Sequence, residues 1–320
     1  LQVADLAKTY RVRKRGSFAG YNEVKAVRGV SVEVREGENF GIVGESGCGK
    51  STLTRLLAWL ESPDQGSIAF QGRNLKQLRP HELKKMRRSF QLLLQDPYSC
   101  LPARMPVWRI IAESLRIHGT YSKAEIRGRV LEAMEEVGLD LRLGNELTVG
   151  LSAGQRQRVN IARALVLKPK LLILDETLSS LDPIEQSRLL KLFDRLQKVH
   201  GFTYIFISHD LALVRKVCHR IAVMYLGRFV EIASNATLFE NPGHPYSRAL
   251  LSAVPTLDDN PFKSGDHLLD GEPPSPVHVP PGCSFRSRCP SAQSICAIRD
   301  PEIYALSRME SIACHLKSPA

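Results

Sequence analysis

The sequence predicts an α/β fold, and three stretches lead to that prediction. Residues 40–43 form a short apolar run that breaks into glycines and then continues as the helical stretch Leu53–Leu57. Apolar runs also cover residues 170–175 and 203–207, with an amphipathic helix that begins just after Pro183 between them. Buried strands that alternate with helices are typical of a parallel sheet covered by helices.

The N-terminal part of the chain predicts short strands rather than helices. Residues 24–27 and 30–34 alternate apolar and polar side chains, as half-buried strands do, and a first segment carries Val3, Leu6 and Tyr10. The polar stretch Arg11–Asn22 contains glycines and is predicted to be a loop. Another short strand is expected at Gly66–Phe70.

Beyond residue 95 the pattern changes to helical spacing. Apolar residues recur at this spacing over 107–115 and 126–137, which predicts a small helical subdomain. After Asn241, frequent prolines and few regular patterns indicate an appended extension. The predicted domains are a core of residues 1–94 and 151–235, a helical subdomain of residues 95–150 and a C-terminal extension of residues 236–320.

A P-loop follows the first apolar run. Glycines without side chains let backbone N–H groups surround a polyphosphate, and the N-terminus of the following helix adds partial positive charge. Lys50 is expected to reach the β- and γ-phosphates, and the Ser51 hydroxyl to bind Mg²⁺. An ordinary glycine turn is the less favoured interpretation. The predicted nucleotide-binding residues are Gly44, Glu45, Ser46, Gly47, Cys48, Gly49, Lys50, Ser51 and Thr52.

Two further motifs lie downstream. The apolar run 171–174 ends in Asp175, placed to hold Mg²⁺, and Glu176, placed to polarise an attacking water. Acidic residues also cap strand ends, but the P-loop upstream favours the catalytic interpretation. Ser152 and Gln155 predict a capping box that begins a helix. That helix end either serves folding alone or lets a phosphate approach.

The order of these motifs resembles the ATPase subunit of an ABC transporter. The P-loop, Gln95, Leu-Ser-Ala-Gly-Gln, Leu-Asp-Glu, Ser-Leu-Asp and His209 follow one another over residues 1–235. The resemblance implies a P-loop NTPase (RecA-like) ABC nucleotide-binding domain with an antiparallel β subdomain and a helical subdomain. It also implies a dimer in which ATP lies between one subunit's P-loop and the other's signature helix.

Site roles follow from the resemblance. It implies that Glu176 is the catalytic base, that His209 contacts the γ-phosphate, and that Gln95 senses Mg²⁺, water and the membrane partner. Asp175 is the acidic Mg²⁺ residue, and Tyr10 stacks on adenine, although a lone tyrosine on a strand is also typical of a core. Residues acting in trans on the partner's nucleotide are Ser152, Ala153, Gly154, Gln155 and Asp182. Ala153 stands where the family usually has glycine.

Three segments narrow the resemblance to dipeptide and oligopeptide importers: residues 95–101, 243–255 and 271–283. The narrower resemblance implies ATP-driven import of peptides or a related solute. It also implies a second, similar ATPase subunit in a heterodimer, two transmembrane permeases and a solute-binding protein. His244, in the His-Pro-Tyr segment, is interpreted as structural because it lies far from the ATPase motifs in sequence.

Four of the seven cysteines crowd the C-terminus with the spacing C-x5-C-x6-C-x17-C. This is not the paired spacing of a zinc ribbon, and four thiolates suit either Zn²⁺ or an iron–sulfur cluster. Reduced, unmetallated thiols are a third option. The family resemblance implies a [4Fe-4S] cluster on Cys283, Cys289, Cys296 and Cys314. Cys48 is expected to be a P-loop spacer, and Cys100 and Cys218 packed thiols.

The net charge of +11 permits contact with nucleic acid or an anionic membrane surface. The basic residues are scattered, which favours a solvated basic face. The alternative function is therefore a soluble ABC-type ATPase that acts on nucleic acid and carries a structural zinc site. Neither a signal peptide nor an apolar run of membrane-spanning length is recognisable. The expectation is a peripheral protein at the cytoplasmic face of the inner membrane, with no nucleic-acid partner.

Overall fold

The computed structural model describes residues 1–13, 20–94, 96, 100–119, 121–179, 181–253, 271–307 and 309–317. The chain divides into two compact units. The first comprises Leu1–Val34, Asn39–Lys76 and Ile207–Ala320, and the second comprises Arg35–Glu38 and Gln77–Phe206. The domains predicted from the sequence have different boundaries and stay a prediction.

The early part of the first unit contains β1 (Gln2–Arg13), β2 (Tyr21–Glu33), β3 (Asn39–Val43), α1 (Lys50–Leu57), β4 (Gln65–Phe70) and β5 (Arg73–Asn74). The second unit contains α2 (Pro80–Met86), β6 (Phe90–Leu93), α3 (Val107–His118), α4 (Lys123–Glu136), α5 (Ala153–Leu165), β7 (Leu171–Asp175) and α6 (Pro183–His200). Strand β8 (Thr203–Ser208) crosses the boundary. The first unit then resumes with α7 (Leu211–Val217), β9 (Arg220–Tyr225), β10 (Arg228–Ser234), α8 (Asn235–Glu240), α9 (Pro245–Ser252), α10 (Ile295–Ile298), β11 (Tyr304–Ala305) and β12 (Ser311–Ile312).

The N-terminal strands are longer than predicted. They form an antiparallel sheet in the order β2-β1-β4-β5. The prediction of two separate strands at residues 24–27 and 30–34 was wrong, because β2 runs through both. The predicted loop Arg11–Asn22 was too long at both ends, since β1 continues to Arg13 and β2 begins at Tyr21. Residues 14–19 of that loop lie outside the described residues.

A bulge at Gly29 explains the wrong strand boundary. Leu6 pairs with Val30 and Ala7 pairs with Arg28, so Gly29 has no partner in the register. Its φ of 72° is a left-handed conformation that glycine adopts without steric cost. The extra residue interrupts the alternation of apolar and polar side chains while the strand itself continues.

A second sheet of the first unit positions the P-loop. Its strand order is β11-β12-β10-β9-β3, with β3 parallel to β9 and the other pairs antiparallel. All five residues of β3 are buried, as expected for a continuous apolar run in a parallel arrangement. The P-loop therefore starts at the carboxyl end of a buried strand, where ligands bind in α/β sheets.

The second unit confirms most elements predicted for it. Strands β7 and β8 cover the predicted runs 170–175 and 203–207, and they lie in the order β8-β7-β6. Helix α6 begins at Pro183 and ends at His200, and Gly201 is its left-handed C-cap with φ 67°. Phe193 of α6 is 1% exposed, and its ring centroid lies 5.6 Å from that of Tyr204. The helices expected at 107–115 and 126–137 correspond to α3 and α4.

The C-terminal extension is attached to β10 by hydrogen bonds. Glu231 pairs with Ile312 of β12, and its buried carboxylate accepts backbone N–H groups of Gly243 at 2.7 Å and His244 at 3.0 Å. His244 is 2% exposed, and its Nδ1 accepts the N–H of Tyr246 at 3.0 Å as the N-cap of α9. The structural role predicted for His244 is confirmed. No helix among the described residues meets the length and apolarity that crossing a membrane requires.

Burial of His244 makes stability depend on pH. Burial lowers the pKa of His244 to about 3, so protonation favours the unfolded chain below the ordinary histidine pKa of 6.5. We expect His244 to decrease the free energy of unfolding by about 2 kcal/mol between pH 7 and pH 5. His244→Asn keeps an N-cap acceptor without this titration and should flatten that decrease in urea unfolding. An equally steep decrease in the variant would contradict the assignment.

Candidate functional site

Close backbone contacts shape the P-loop, which joins β3 to α1. A Cβ atom on Gly44 would lie 2.2 Å from the carbonyl oxygen of Met224, and one on Gly49 would lie 2.2 Å from that of Ala26. Gly49 is the N-cap of α1, with φ 110°. Only glycine fits at these two positions, so the loop backbone lies directly against its neighbouring strands.

The Lys50 side chain crosses back over the loop. Lys50 is 6% exposed, and its Nζ donates to the carbonyl oxygens of Gly44 at 2.7 Å and Glu45 at 2.9 Å. The ammonium group is thus held beside the loop backbone, where it could meet a phosphate. Cys48 is buried, and burial raises the pKa of its thiol, which fits a spacer rather than a nucleophile. Ser51 is exposed and Thr52 half-buried at the start of α1.

Two other predicted site residues lie in the first unit. His209 is exposed between β8 and α7, next to Asp210, whose carboxylate caps α7. The Tyr10 hydroxyl donates to the carboxylate of Glu61, and the Lys8 ammonium lies 5.9 Å from the Tyr10 ring centroid. Burial and the hydrogen bond to Glu61 raise the pKa of Tyr10.

The acidic pair lies in the second unit. Asp175 is the last residue of β7, and Glu176 follows with φ 47°, a left-handed conformation uncommon outside glycine. The carbonyl oxygen of Glu176 accepts the N–H of Ser179 at 3.1 Å and its hydroxyl at 2.8 Å. This turn holds the strained backbone in place, as often occurs at functional sites.

The predicted capping box at the signature segment is confirmed. Ser152 Oγ accepts the N–H of Gln155 at 3.2 Å, and Gln155 Oε1 accepts the N–H of Ser152 at 2.9 Å. Three residues of this segment lie in the first turn of α5: Ala153, Gly154 and Gln155. Gln157 Nε2 donates to the carbonyl oxygen of Thr177 at 3.1 Å. The signature helix is therefore bonded to the turn that follows Glu176.

The remaining predicted residues have simple positions. Asp182 is the N-cap of α6, and its carboxylate accepts the N–H groups of Ile184 and Glu185, each at 3.0 Å. Gln95 lies outside the described residues. The first unit thus contains the P-loop, Tyr10 and His209, whereas the second contains the acidic pair, the signature segment and Asp182.

The C-terminal cysteines influence one another. Burial, with smaller contributions from the other three thiols, raises the pKa of Cys283 to about 11. Burial and neighbouring thiols raise the pKa values of Cys289 and Cys314 in the same way. Among the described residues, no three His, Cys, Asp or Glu side chains form a group that could hold a metal ion. The donor chemistry suits a thiolate-bound group, but the positions do not gather three ligands around one ion.

Comparison with known proteins identifies the family. Residues 27–179 match the family model "ABC transporter", and residues 230–296 match "Oligopeptide/dipeptide transporter, C-terminal region". The chain is 45% identical to the putative oligopeptide transport ATP-binding protein YkfD of Bacillus subtilis, covering 92% of this chain and 90% of the relative. It is 42% identical to the oligopeptide transport ATP-binding protein OppF of Escherichia coli, covering 98% of this chain and 95% of the relative. The chain belongs to this family of ABC transporter ATP-binding subunits.

Solved structures agree with this assignment. The chain is 30% identical to cbiO1 from Clostridium perfringens, part of an ABC transporter complex, with a TM-score of 0.65 over 75% of this chain and 90% of that one. The chain is 26% identical to a dimeric post-hydrolysis ATP-binding cassette, MJ0796 bound to ADP and Pi. The TM-score is 0.64 over 73% of this chain and 98% of that one. The chain has the ABC ATPase cassette fold, an α/β fold with antiparallel and mixed sheets, and is an ABC-type ATPase.

Sequence reasoning did not find two residues that contact the P-loop from the extension. Arg288 forms an ion pair with Glu45, and the Tyr246 hydroxyl accepts the N–H of Glu45. Tyr246 belongs to the His-Pro-Tyr segment, and Arg288 directly precedes Cys289. Neither position carries a signal that links it to a loop more than two hundred residues earlier.

The contacts of Gly49 lead to a stability prediction. Gly49→Ala and Gly72→Ala both place alanine in left-handed backbone, at φ 110° and 74°, which costs about 1 kcal/mol each. Only the Gly49 methyl meets a backbone oxygen, so Gly49→Ala should cost about 3 kcal/mol in urea unfolding. Equal losses in the two variants would show that the contact with Ala26 does not constrain the loop.

Proposed function

We propose that this ATPase powers the import of peptides, or a related small solute, through an ABC transporter. The observation that carries the proposal is that the C-terminal region of oligopeptide/dipeptide transporters follows the ATPase motifs in one chain. The named relatives support it, since the transport ATP-binding proteins AppF and DppF are 41% and 42% identical over nearly the whole chain. No comparison favours the nucleic-acid alternative.

We assign the ATP chemistry to the sequence-predicted residues. Lys50 binds the β- and γ-phosphates, supported by an ammonium group already held beside the loop backbone. By sequence motif, we assign Ser51, Gln95 and Asp175 to Mg²⁺, a cation that would offset negative charge on the phosphates. Glu176 polarises the attacking water as general base, and His209 contacts the γ-phosphate. The ring of Tyr10 stacks on adenine.

The second half of each ATP site comes from another ATPase subunit in a heterodimer. Ser152, Gly154 and Gln155 would bind the partner's nucleotide, supported by the ordered helix start that the capping box creates. Ala153 adds one methyl group, relative to glycine, to the surface that would face the partner's nucleotide. Asp182 couples the two ATP sites. ATP binding closes the dimer because the γ-phosphate contacts favour the closed state, and hydrolysis reopens it.

The proposed assembly contains two permeases and a solute-binding protein, with this chain peripheral at the cytoplasmic face of the membrane. The names of the relatives as transport proteins support this arrangement. Within the chain, we assign residues 1–94 and 151–235 to the ATPase core. Residues 95–150 form the helical subdomain in this assignment, and residues 236–320 the transporter-specific extension.

Removal of the proposed base tests the mechanism. Glu176→Gln should reduce ATP turnover by at least about 100-fold, because the amide cannot accept the proton of water. ATP binding should persist, and the closed dimer should accumulate in size-exclusion chromatography with ATP. Glu132→Gln makes the same change in an exposed ion pair with Lys168 and should turn over normally. Undiminished hydrolysis in Glu176→Gln would contradict the assignment.

We also propose that Cys283, Cys289, Cys296 and Cys314 bind a [4Fe-4S] cluster, with Zn²⁺ as the alternative. Support comes from the chemistry of four thiolates and from the neighbouring thiols that raise the pKa values of Cys283, Cys289 and Cys314. Binding would have to draw the side chains closer together, since no three of them form a metal-binding group among the described residues. When bound, the group would cross-link the extension.

Anaerobic purification tests the cluster. A brown protein with visible absorbance and about four iron atoms per chain is expected. Cys296→Ser should lose that iron, whereas Cys218→Ser, a change in a buried thiol outside the set, should keep it. A colourless protein with stoichiometric zinc would support the alternative, and one without metal would contradict both.

A further inference from the structure

Two side chains of the C-terminal extension hold one P-loop residue, Glu45. Arg288 donates through Nη1 to Glu45 Oε2 at 2.7 Å and through Nη2 to Glu45 Oε1 at 2.9 Å. The hydroxyl of Tyr246 accepts the backbone N–H of Glu45 at 3.0 Å. The carboxylate and the backbone of Glu45 are thus both bound by residues outside the ATPase motifs.

The ion pair has the geometry of a strong one. Two parallel N–H···O bonds between a guanidinium and a carboxylate fix the orientation as well as the distance. The Arg288 side chain is only 5% exposed and that of Glu45 is 22% exposed, so water competes weakly for either group. Loss of one partner would leave the other charge buried without compensation, which is costly.

Glu45 in turn determines the shape of the loop. Its carbonyl oxygen accepts the Lys50 ammonium at 2.9 Å and the N–H of Cys48 at 3.3 Å. A shift of Glu45 would therefore move the lysine and the first backbone amides of the loop together. These are the groups that bind phosphates in a P-loop.

Arg288 is itself firmly placed. Arg288 is the last residue of the short 3-10 helix Arg286–Arg288. This helix follows directly after Phe285, which is 1% exposed. The Phe285 centroid lies 5.3 Å from those of both Tyr225 and Tyr246. Just before it, the Ser284 hydroxyl accepts a hydrogen bond from Arg28 at 3.0 Å. The same aromatic cluster therefore positions both groups that reach Glu45.

We propose that Arg288 and Tyr246 are positioning residues for ATP binding, which keep the P-loop in the form that accepts phosphates. A loop held in its bound conformation loses less entropy when the ligand binds, so its affinity is higher. The extension thereby sets the ATP affinity of this subunit. Neither side chain takes part in the hydrolysis step, and the role does not depend on a metal at the cysteines.

Nucleotide binding by the full-length chain tests the proposal. Arg288→Gln should raise the Kd and KM for MgATP by about ten-fold, while kcat at saturating ATP changes by less than about two-fold. Arg286→Gln is the matched control, because Arg286 lies in the same 3-10 helix but donates to the Ala297 carbonyl at 3.3 Å. The control should leave the Kd, KM and kcat unchanged.

Coupling between the partners distinguishes positioning from general loosening. Glu45→Gln combined with Arg288→Gln should weaken ATP binding no more than Arg288→Gln alone, because each change removes the same ion pair. Arg288→Lys should recover part of the affinity, since lysine keeps the charge but not the two-pronged geometry. Additive losses in the double variant, or a lower kcat at unchanged Kd, would overturn the proposal.

Tyr246→Phe provides a test that preserves the aromatic packing. It removes only the hydroxyl that accepts the Glu45 N–H and should weaken ATP binding by about three-fold or more. If Arg288→Gln lowers the urea midpoint and so destabilises the fold, Tyr246→Phe still tests whether contacts to Glu45 set the ATP affinity. Wild-type ATP affinity in a folded Tyr246→Phe chain would overturn the proposal.

Discussion

The first unit depends on the close approach of the P-loop backbone to the carbonyl oxygens of Ala26 and Met224. The loop lies between β2 and β9 at distances that exclude even a methyl group on Gly44 or Gly49. Gly227 continues this packing, since its N–H donates to the Cys48 carbonyl at 2.8 Å. The small sheet and the larger sheet therefore meet around a loop that has little freedom to move.

Many strands and helices of the fold could be predicted from the sequence, because the signals that predict them are local. Apolar runs mark β3, β7 and β8, and the capping box marks the start of α5. The single long β2 could not be predicted, since the Gly29 bulge breaks the side-chain alternation without ending the strand. The left-handed backbone of Glu176 could not be predicted either, because it belongs to a turn that forms only in the folded chain.

Predictions for the site were limited by distance along the chain. Motif spacing predicts which residues bind a nucleotide, but it does not show what supports them. The contact of Glu45 with Arg288 spans 243 positions. The buried carboxylate of Glu231, which binds Gly243 and His244, joins segments that lack a shared pattern. Such tertiary contacts follow from packing and hydrogen-bond satisfaction, which no short sequence window contains.

The separation of Glu45 from its arginine has a consequence for biosynthesis. During translation the P-loop emerges well before the segment that carries Arg288, because Arg288 follows Glu45 by 243 positions. Strand β12 likewise follows its partner β10 in the chain and pairs with it only after it has been made. Long-range contacts of this kind form slowly and only when both ends exist. The nascent chain therefore lacks this support for its nucleotide loop until Arg288 has been synthesised.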